Sequence, residues 1–276
     1  MTIIGLATMN NDINSINVFL LHCIYSINEG TKSLNQLAKV LKRTKYNIQI
    51  ICICNKDKIN LNINDLNISY ISGSNQLHEF SAWQEGYQLI KEDIDDRSLV
   101  LLTNDTILSN HPFYGCLDLA LLKCLNSLSS NSQNSIIGIR QVLDFNEVKD
   151  YLSSFLVILN GRQTIHKVLD GILNIEFDAR INEGNSNEIL IYCDDKYYQD
   201  FINNWLTEPG KKSWHKAEKL TDQSISRLQM KAKCILLEHS ISIRAKKNNI
   251  KIFDIFEFTG LKYLRYIYSF RKDYFF

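Results

Sequence analysis

The sequence predicts an α/β protein with a mostly parallel central sheet, helices on the faces of the sheet and a C-terminal helical extension. Short apolar runs bounded by polar residues recur along the chain, and such runs are typical of buried parallel strands. Between them, apolar residues recur at intervals of three and four, which indicates amphipathic helices. Strand, helix, strand, strand, helix and strand succeed one another in the first part of the chain, and this alternation is the signature of an α/β domain.

The elements follow in chain order. Residues 1–14 precede the sheet as an extra strand or an arm, and residues 28–31 and 129–134 are predicted loops. The predicted strands are 17–26, 47–55, 68–71, 99–103, 135–142, 150–159 and 250–255. The predicted helices are 33–45, 80–94, 112–128, 163–173, 194–205 and 224–242. Right-handed crossovers place the ends of the strands in the first half at one edge of the sheet.

One apolar strand is followed directly by a carboxylate. Residues 99–103 are all apolar or small, and Asn104, Asp105 and Thr106 follow at once. In open α/β sheets, ligands bind beyond the carboxyl ends of the strands, so Asp105 is a candidate for holding a metal, a ribose or a sugar. An Asx-turn in which Asp105 caps the next segment explains the same pattern. Both interpretations stay open at this point.

Composition excludes several classes of protein. The net charge of +1 gives no reason to expect nucleic acid as a partner. The seven cysteines have no framework spacing, which indicates reduced thiols in a cytosolic protein. Cys52 and Cys54 share one face of a strand as small core residues. We find no basic n-region and no run of about 18 apolar residues, so we expect neither a signal peptide nor a membrane span.

Three segments carry a family resemblance. Residues 75–86, NQLHEFSAWQEG, precede the strand that ends in Asn-Asp-Thr; residues 151–155 read YLSSF; residues 237–244 read LEHSISIR. In this order they resemble bacterial glycosyltransferases with the GT-A fold, which is Rossmann-like. The rhamnan-synthesis-type and family-2-like transferases of polysaccharide and lipopolysaccharide are the most alike. The resemblance covers roughly residues 16–255.

The resemblance implies transfer of a sugar from a nucleoside-diphosphate sugar to a bacterial surface glycan or a lipid-linked acceptor, with inversion preferred. It implies a transferase domain over residues 1–255, whose halves at about 16–110 and 111–255 bind nucleotide and acceptor. The implied catalytic residues are Glu238, Asp105 and His239, with Asp105 also the ligand of a divalent metal, Mg²⁺ or Mn²⁺. The implied nucleotide contacts are Ser26, Asn28, Asn55, Asn75 and Asn104.

Two departures from the family pattern bear on the chemistry. The usual Asp-x-Asp motif has a single carboxylate here, Asp105, and the usual Glu-Asp pair is Glu238-His239. A hard cation often needs only one or two carboxylates beside phosphate oxygens, and either a carboxylate or an imidazole can accept the proton of an acceptor hydroxyl. Metal dependence and the identity of the base therefore stay open. So do a solvated role for Glu238 and a core or surface role for His239.

Other residues have simpler structural interpretations. Glu79 starts a predicted helix, where a carboxylate suits the helix dipole, so we expect capping rather than catalysis. Trp83 lies on an apolar stripe and is expected in the core. Arg140 and Arg244 are candidate phosphate partners on their spacing alone.

Two rival functions and the role of the tail stay open. A sugar-nucleotide nucleotidyltransferase usually carries a glycine-rich, basic loop after the first strand, whereas residues 27–31 hold one glycine and no Lys or Arg. A degenerate domain that binds a nucleotide or a glycan without catalysis explains the missing carboxylates. The tail at 256–276 is rich in aromatic and basic residues, which favours peripheral contact with the inner face of the cytoplasmic membrane. Packing on the domain, or a dimer contact, explains the tail as well.

Overall fold

The structure, a computed structural model, describes most of the chain. The described residues are 16–56, 67–108, 115–128, 134–146, 148–183, 189–210, 214 and 216–275. The predicted arm at 1–14, the predicted start of a helix at Pro112 and most of the predicted loop at 129–134 lie outside them.

Strands and helices alternate along the described residues. In chain order they are β1 (Asn17–Ile24), α1 (Ile27–Leu41), β2 (Asn47–Cys54), β3 (Asn67–Ser72), α2 (His78–Ile90), β4 (Leu99–Asn104), α3 (Cys116–Leu128), β5 (Ser135–Val142), β6 (Asp150–Asn160), α4 (Arg162–Leu169), β7 (Ala179–Ile181), β8 (Ile191–Cys193), α5 (Lys196–Thr207), α6 (Ile225–Lys247), β9 (Lys251–Asp254), α7 (Ile255–Phe258) and α8 (Lys262–Phe275). A 3-10 turn at Asp105–Ile107 follows β4 directly.

Within the described residues, seven strands form one sheet in the order β3-β2-β1-β4-β6-β5-β9. β3, β2, β1 and β4 are parallel neighbours, and β5 is parallel to β9. β6 runs antiparallel between β4 and β5, an arrangement that the sequence pattern did not predict. The predicted α/β class with a mostly parallel, Rossmann-like sheet is confirmed. β7 and β8 form a separate antiparallel pair.

Alternate side chains of β1 are buried on opposite faces of the sheet. Val18 and Leu20 join a core that includes residues of α1, α3 and α8, whereas Phe19 and Leu21 join a core that includes residues of α2, α4 and α6. A third core lies between α5, α6 and the β7–β8 pair. Because helices cover both faces, the central strands are apolar without alternation, which is why unbroken apolar runs marked them in the sequence.

The start of α1 corrects one prediction. Residues 28–31 were expected to form a loop, and the helix was expected to start at 33. Instead α1 begins at Ile27, and only Tyr25 and Ser26 separate it from the end of β1. The first helical bond runs from the Gly30 amide to the Ser26 carbonyl at 2.8 Å. Gly30 lies so close to Ile24 that a Cβ there would come within 2.6 Å of its side chain. The glycine therefore lets the helix pack tightly on the strand that precedes it.

The C-terminal helix packs on the domain through one face. Leu264 and Tyr268 of α8, and Leu261 just before it, are buried in the same core as α1 and α3. Arg265 forms an ion pair with Asp254, which is fully buried and caps α7. Over the described part of the chain, every helix is too short or too polar to span a bilayer.

Candidate functional site

The order of the strands locates a crevice at one edge of the sheet. β2 and β3 lie on one side of β1, and β4 lies on its other side, so the chain reverses its direction across the sheet between β1 and β4. In open α/β sheets, ligands bind in the crevice beyond the carboxyl ends of the strands at such a switch point. Here that position is bordered by Tyr25 and Ser26 after β1 and by Asp105 after β4.

Asp105, which follows β4, accepts hydrogen bonds from the two residues that follow β1. Its Oδ2 accepts hydrogen bonds from the backbone N–H of Tyr25 at 2.6 Å and of Ser26 at 2.8 Å. The side chain of Ser26 does not cap α1, so the negative charge of Asp105 stands at the helix start in its place. Burial raises the pKa of the Asp105 carboxyl, and the two amide bonds oppose that rise. The carboxylate is only 2% exposed.

Two more carboxylates meet on one serine beside this crevice. The Ser154 backbone N–H donates to Glu238 Oε1 at 2.6 Å, and the Ser154 hydroxyl donates to Glu79 Oε1 at 3.0 Å. The Tyr25 hydroxyl donates to Glu79 Oε2 at 3.3 Å. α2, β6 and α6 thus each bring one of these groups to the end of β1. Glu79 was expected to cap its helix, but its carboxylate reaches across to β6 and β1 instead.

The strand register explains how Ser154 comes to this edge. Thr103 of β4 pairs with Leu156 of β6 in an antiparallel register. Asp105 lies two residues after Thr103, and Ser154 lies two residues before Leu156. Both residues therefore lie at the same end of the strand pair. Because β6 is antiparallel to β4, Asp105 follows the paired residues of β4, whereas Ser154 precedes the paired residues of β6.

The surroundings of Glu238 raise the pKa of its carboxyl group. Burial raises the pKa of its carboxyl, while the Ser154 amide and the positive charge of Lys231 act in the opposite direction, and the charge of Glu79 raises the pKa further. A carboxyl group with a raised pKa is a stronger base, once ionised, than an ordinary glutamate. A carboxyl perturbed by burial together with specific charged neighbours is a candidate functional group.

His239, the neighbour of Glu238, faces a different part of the molecule. Its Nδ1 lies 2.6 Å from the Tyr198 hydroxyl, and its ring lies against Tyr151 with 4.2 Å between the ring centroids. Burial lowers the pKa of His239 to about 3. The imidazole is therefore neutral and enclosed at physiological pH, and its surroundings are those of a core histidine.

The predicted nucleotide contacts lie around the crevice in different local settings. Ser26 and Asn28 are exposed at the start of α1. Asn55 is buried, and its Nδ2 donates to the His78 carbonyl at 3.2 Å. Asn75 has a φ of 53° in the loop before α2, and its Oδ1 is buried with no hydrogen-bond partner among the described residues. Asn104 Oδ1 accepts from the Thr106 amide at 3.1 Å, so it caps the 3-10 turn. Their roles in binding stay predictions.

The two candidate arginines have structural partners. Arg244 is 3% exposed; its Nε bonds to Glu176 at 2.8 Å, and its Nη atoms bond to main-chain carbonyls of α4 and the turn after it. Arg140 Nε lies 2.6 Å from Asp150 Oδ2, near the start of β6. Trp83 is fully buried and donates to the Thr103 carbonyl at 3.0 Å, as expected of a core residue.

The described side chains do not fit a divalent ion held by the protein alone. Among the described residues, no three side chains of His, Cys, Asp and Glu come together as ligands. The Oδ2 atom of Asp105 is occupied by two backbone amides. The expectation of Mg²⁺ or Mn²⁺ at Asp105 stays a prediction.

Comparisons with known proteins identify no family. No family model matches the chain, and no curated protein is significantly similar to it. One solved structure with some similarity is the Euglena gracilis mitochondrial ATP synthase OSCP/F1/c-ring assembly in rotational state 3, with a chain 10% identical over 98% of this chain and 72% of its own, at a TM-score of 0.26. Another is the rotor of that synthase in rotational state 1, at 11% identity, 98% and 79% coverage and a TM-score of 0.26. Scores this low carry no argument about fold or function.

Proposed function

We propose that this protein is a glycosyltransferase that moves a sugar from a nucleoside-diphosphate sugar to a glycan or a lipid-linked acceptor. The observation that carries the proposal is the meeting of Glu79 and Glu238 on Ser154, beside the switch-point crevice. The crevice is where an α/β sheet binds a nucleotide. A carboxyl with raised pKa is what deprotonation of an acceptor hydroxyl requires. The family resemblance in the sequence supports the same reaction.

The proposed reaction needs a base and a separate place for the leaving group. As the acceptor oxygen forms its bond to the anomeric carbon, Glu238 takes the proton of the acceptor hydroxyl. The bond between the anomeric carbon and the phosphate oxygen breaks, and its electron pair leaves with the nucleoside diphosphate. Attack from the face opposite the leaving group inverts the configuration, through an oxocarbenium-like transition state. In this scheme Ser154 is a positioning residue, because its amide fixes Oε1 of Glu238.

The negative charge of Glu79 has a distinct role in this scheme. Its carboxylate holds the Ser154 hydroxyl and the Tyr25 hydroxyl, so it links α2 to both sides of the crevice. Its charge also raises the pKa of Glu238. Two interacting carboxylates disfavour simultaneous ionisation, which makes the proton taken by Glu238 easier to hold. Glu79 therefore adjusts the basicity of Glu238 without contacting the acceptor.

A binding domain without catalytic activity is the second candidate. The observation that favours it is the pair of amide bonds to Asp105, because that geometry also describes a purely structural carboxylate. The nucleotidyltransferase alternative is less well supported. Only Tyr25 and Ser26 separate β1 from α1, and this connection leaves no room for a glycine-rich loop that cradles phosphates.

The proposed acceptors place the enzyme at the cytoplasmic face of the membrane. Tyr263, Tyr266 and Ile267 are exposed on α8, and they recur at intervals that put them on one side of the helix. Aromatic side chains with polar ends favour the interface of a bilayer. Peripheral contact through α8 is consistent with a lipid-linked acceptor.

The test measures binding and turnover separately. Purified protein is titrated with UDP-, GDP-, ADP- and dTDP-sugars, and the release of nucleoside diphosphate is followed without an acceptor. We expect one donor class to bind and to be hydrolysed slowly, with hydrolysis strongly reduced in Glu238→Gln and unchanged in Glu92→Gln, an exposed glutamate after α2. Binding without any release supports the binding domain. Binding to no donor contradicts the transferase and a binding domain for nucleotides.

A further inference from the structure

A lysine on α6 stands out among the charged groups near the carboxylate pair. Lys231 precedes Glu238 by seven positions, close to two helical turns, so the two residues lie on one side of α6. The Lys231 ammonium lies over the ring of Trp214, with Nζ 5.6 Å from the ring centroid. The guanidinium of Arg227, one turn earlier, lies over the same ring at 5.3 Å.

The two cations on Trp214 differ in how their charge is compensated. Arg227 pairs with the carboxylate of Glu218 and donates to the Lys216 carbonyl at 3.3 Å. Lys231 forms no ion pair with any residue that the structure describes, although it is only partly exposed. The Lys231 ammonium is therefore oriented by an aromatic ring and, among the described residues, is not tied up in a close ion pair as Arg227 is.

The charge of Lys231 acts on both sides of the site. Burial raises the pKa of Glu238, and the charge of Lys231 opposes that rise. Burial lowers the pKa of His78 at the start of α2; the charge of Glu79 opposes that fall, and the charges of Lys231 and Lys216 add to it. The His78 ring packs edge-on against Tyr25, with 5.8 Å between ring centroids. Lys231 thus lies close enough to influence the groups that border the crevice beyond β1.

We propose that Lys231, oriented by Trp214, binds a diphosphate group beside the Glu79–Ser154–Glu238 cluster. The inference rests on the proposed function, since it assigns a residue to the anionic part of a substrate of that site. Lysine binds phosphate as a compact point charge. The leaving diphosphate gathers negative charge in the transition state, and a fixed cation stabilises that charge without a metal. The diphosphate belongs either to the sugar donor or to a lipid-linked acceptor.

The experiment compares substitutions of the two cationic residues that contact the Trp214 ring. Lys231→Met removes the charge and keeps most of the aliphatic stem, whereas Arg227→Met removes a cation that is already paired with Glu218. Each full-length protein is titrated by calorimetry with UDP, GDP, inorganic pyrophosphate and geranyl diphosphate, at low and high salt. Uridine and guanosine, which lack phosphate, are the controls for the nucleoside part.

We expect Lys231→Met to weaken the diphosphate that the wild type binds by about tenfold or more, and Arg227→Met to change it by less than about twofold. Affinity for the bare nucleoside should not change. Loss confined to UDP or GDP assigns the diphosphate to the donor, and loss confined to geranyl diphosphate assigns it to the acceptor. If the wild type binds a diphosphate and Lys231→Met binds it equally well, the inference is wrong while the proposed function stands. If the wild type binds none of them, the proposed function fails together with the inference.

Discussion

Asp105 allows a structural role and a catalytic role to be separated by two substitutions. Asp105→Ala removes the acceptor of two backbone N–H bonds, from Tyr25 at 2.6 Å and Ser26 at 2.8 Å. Hydrogen bonds to a charged group contribute about 1.5–3 kcal/mol each, and the exposed Ser26 amide can recover a partner from water. We therefore expect the free energy of unfolding to fall by about 2–4 kcal/mol. Asp105→Asn keeps an oxygen at the same place and should cost less than about 1.5 kcal/mol.

Denaturant unfolding and donor turnover are measured on both variants. If Asp105 contributes charge to the reaction, Asp105→Asn stays folded and loses more than about nine-tenths of the turnover, a barrier increase above about 1.4 kcal/mol. If its role is only to join β4 to the start of α1, Asp105→Asn keeps most of its activity and Asp105→Ala loses activity in proportion to its stability. An Asp105→Ala variant as stable as the wild type would refute the geometry itself, because two hydrogen bonds to a buried carboxylate would then contribute nothing.

The remaining predictions concern buried histidines and the outer face of α8. Burial lowers the pKa of His22 and of His239 to about 3, so both are neutral when folded and take up protons on unfolding below about pH 6.5. Stability should therefore fall as the pH falls from about 6.5 toward 3, with a shallower slope in His239→Asn; equal slopes in denaturant unfolding would count against this. Replacing Tyr263, Tyr266 and Ile267 by serine should abolish salt-sensitive sedimentation with anionic phosphatidylglycerol vesicles while the fold stays intact. Wild-type protein that remains in the supernatant at low salt would rule out the membrane contact.

The fold was predictable where the sequence signal is local. The unbroken apolar run of β4 predicted a buried strand, and the apolar stripe through Phe80, Trp83 and Tyr87 predicted the buried face of a helix. Both depend on neighbours within one element, so composition and periodicity are enough to find them. The position of Asp105 at a strand end followed from the same reasoning. The antiparallel direction of β6 did not, because strand direction is set by partners far along the chain.

The site was less predictable because its contacts join distant segments. The start of α1 was misplaced because the Ser26 side chain makes no cap, and the Ser26 amide is instead bound by Asp105, which is distant in the sequence. Glu79 resembles a capping residue in the sequence, and only the fold brings Ser154 within its reach. His239 follows Glu238 directly, yet neighbouring residues on a helix face different directions, so one borders the site and the other packs on Tyr198. No local pattern contains this information.

One comparison tests the central claim most directly: donor turnover and donor affinity of Glu238→Gln against the wild type. Glutamine keeps the oxygen that accepts the Ser154 amide, so the fold should survive. Because the pKa of Glu238 is higher in the folded protein than in the unfolded chain, the free energy of unfolding of the wild type falls as the pH rises from the unfolded pKa through the folded pKa. Glutamine does not titrate, so the stability of the variant relative to the wild type should increase over the same pH interval. We predict that turnover falls by about a hundredfold or more while the donor dissociation constant changes by less than about threefold. Turnover within about twofold of the wild type would contradict the assignment of Glu238 as the base, and the proposed mechanism with it.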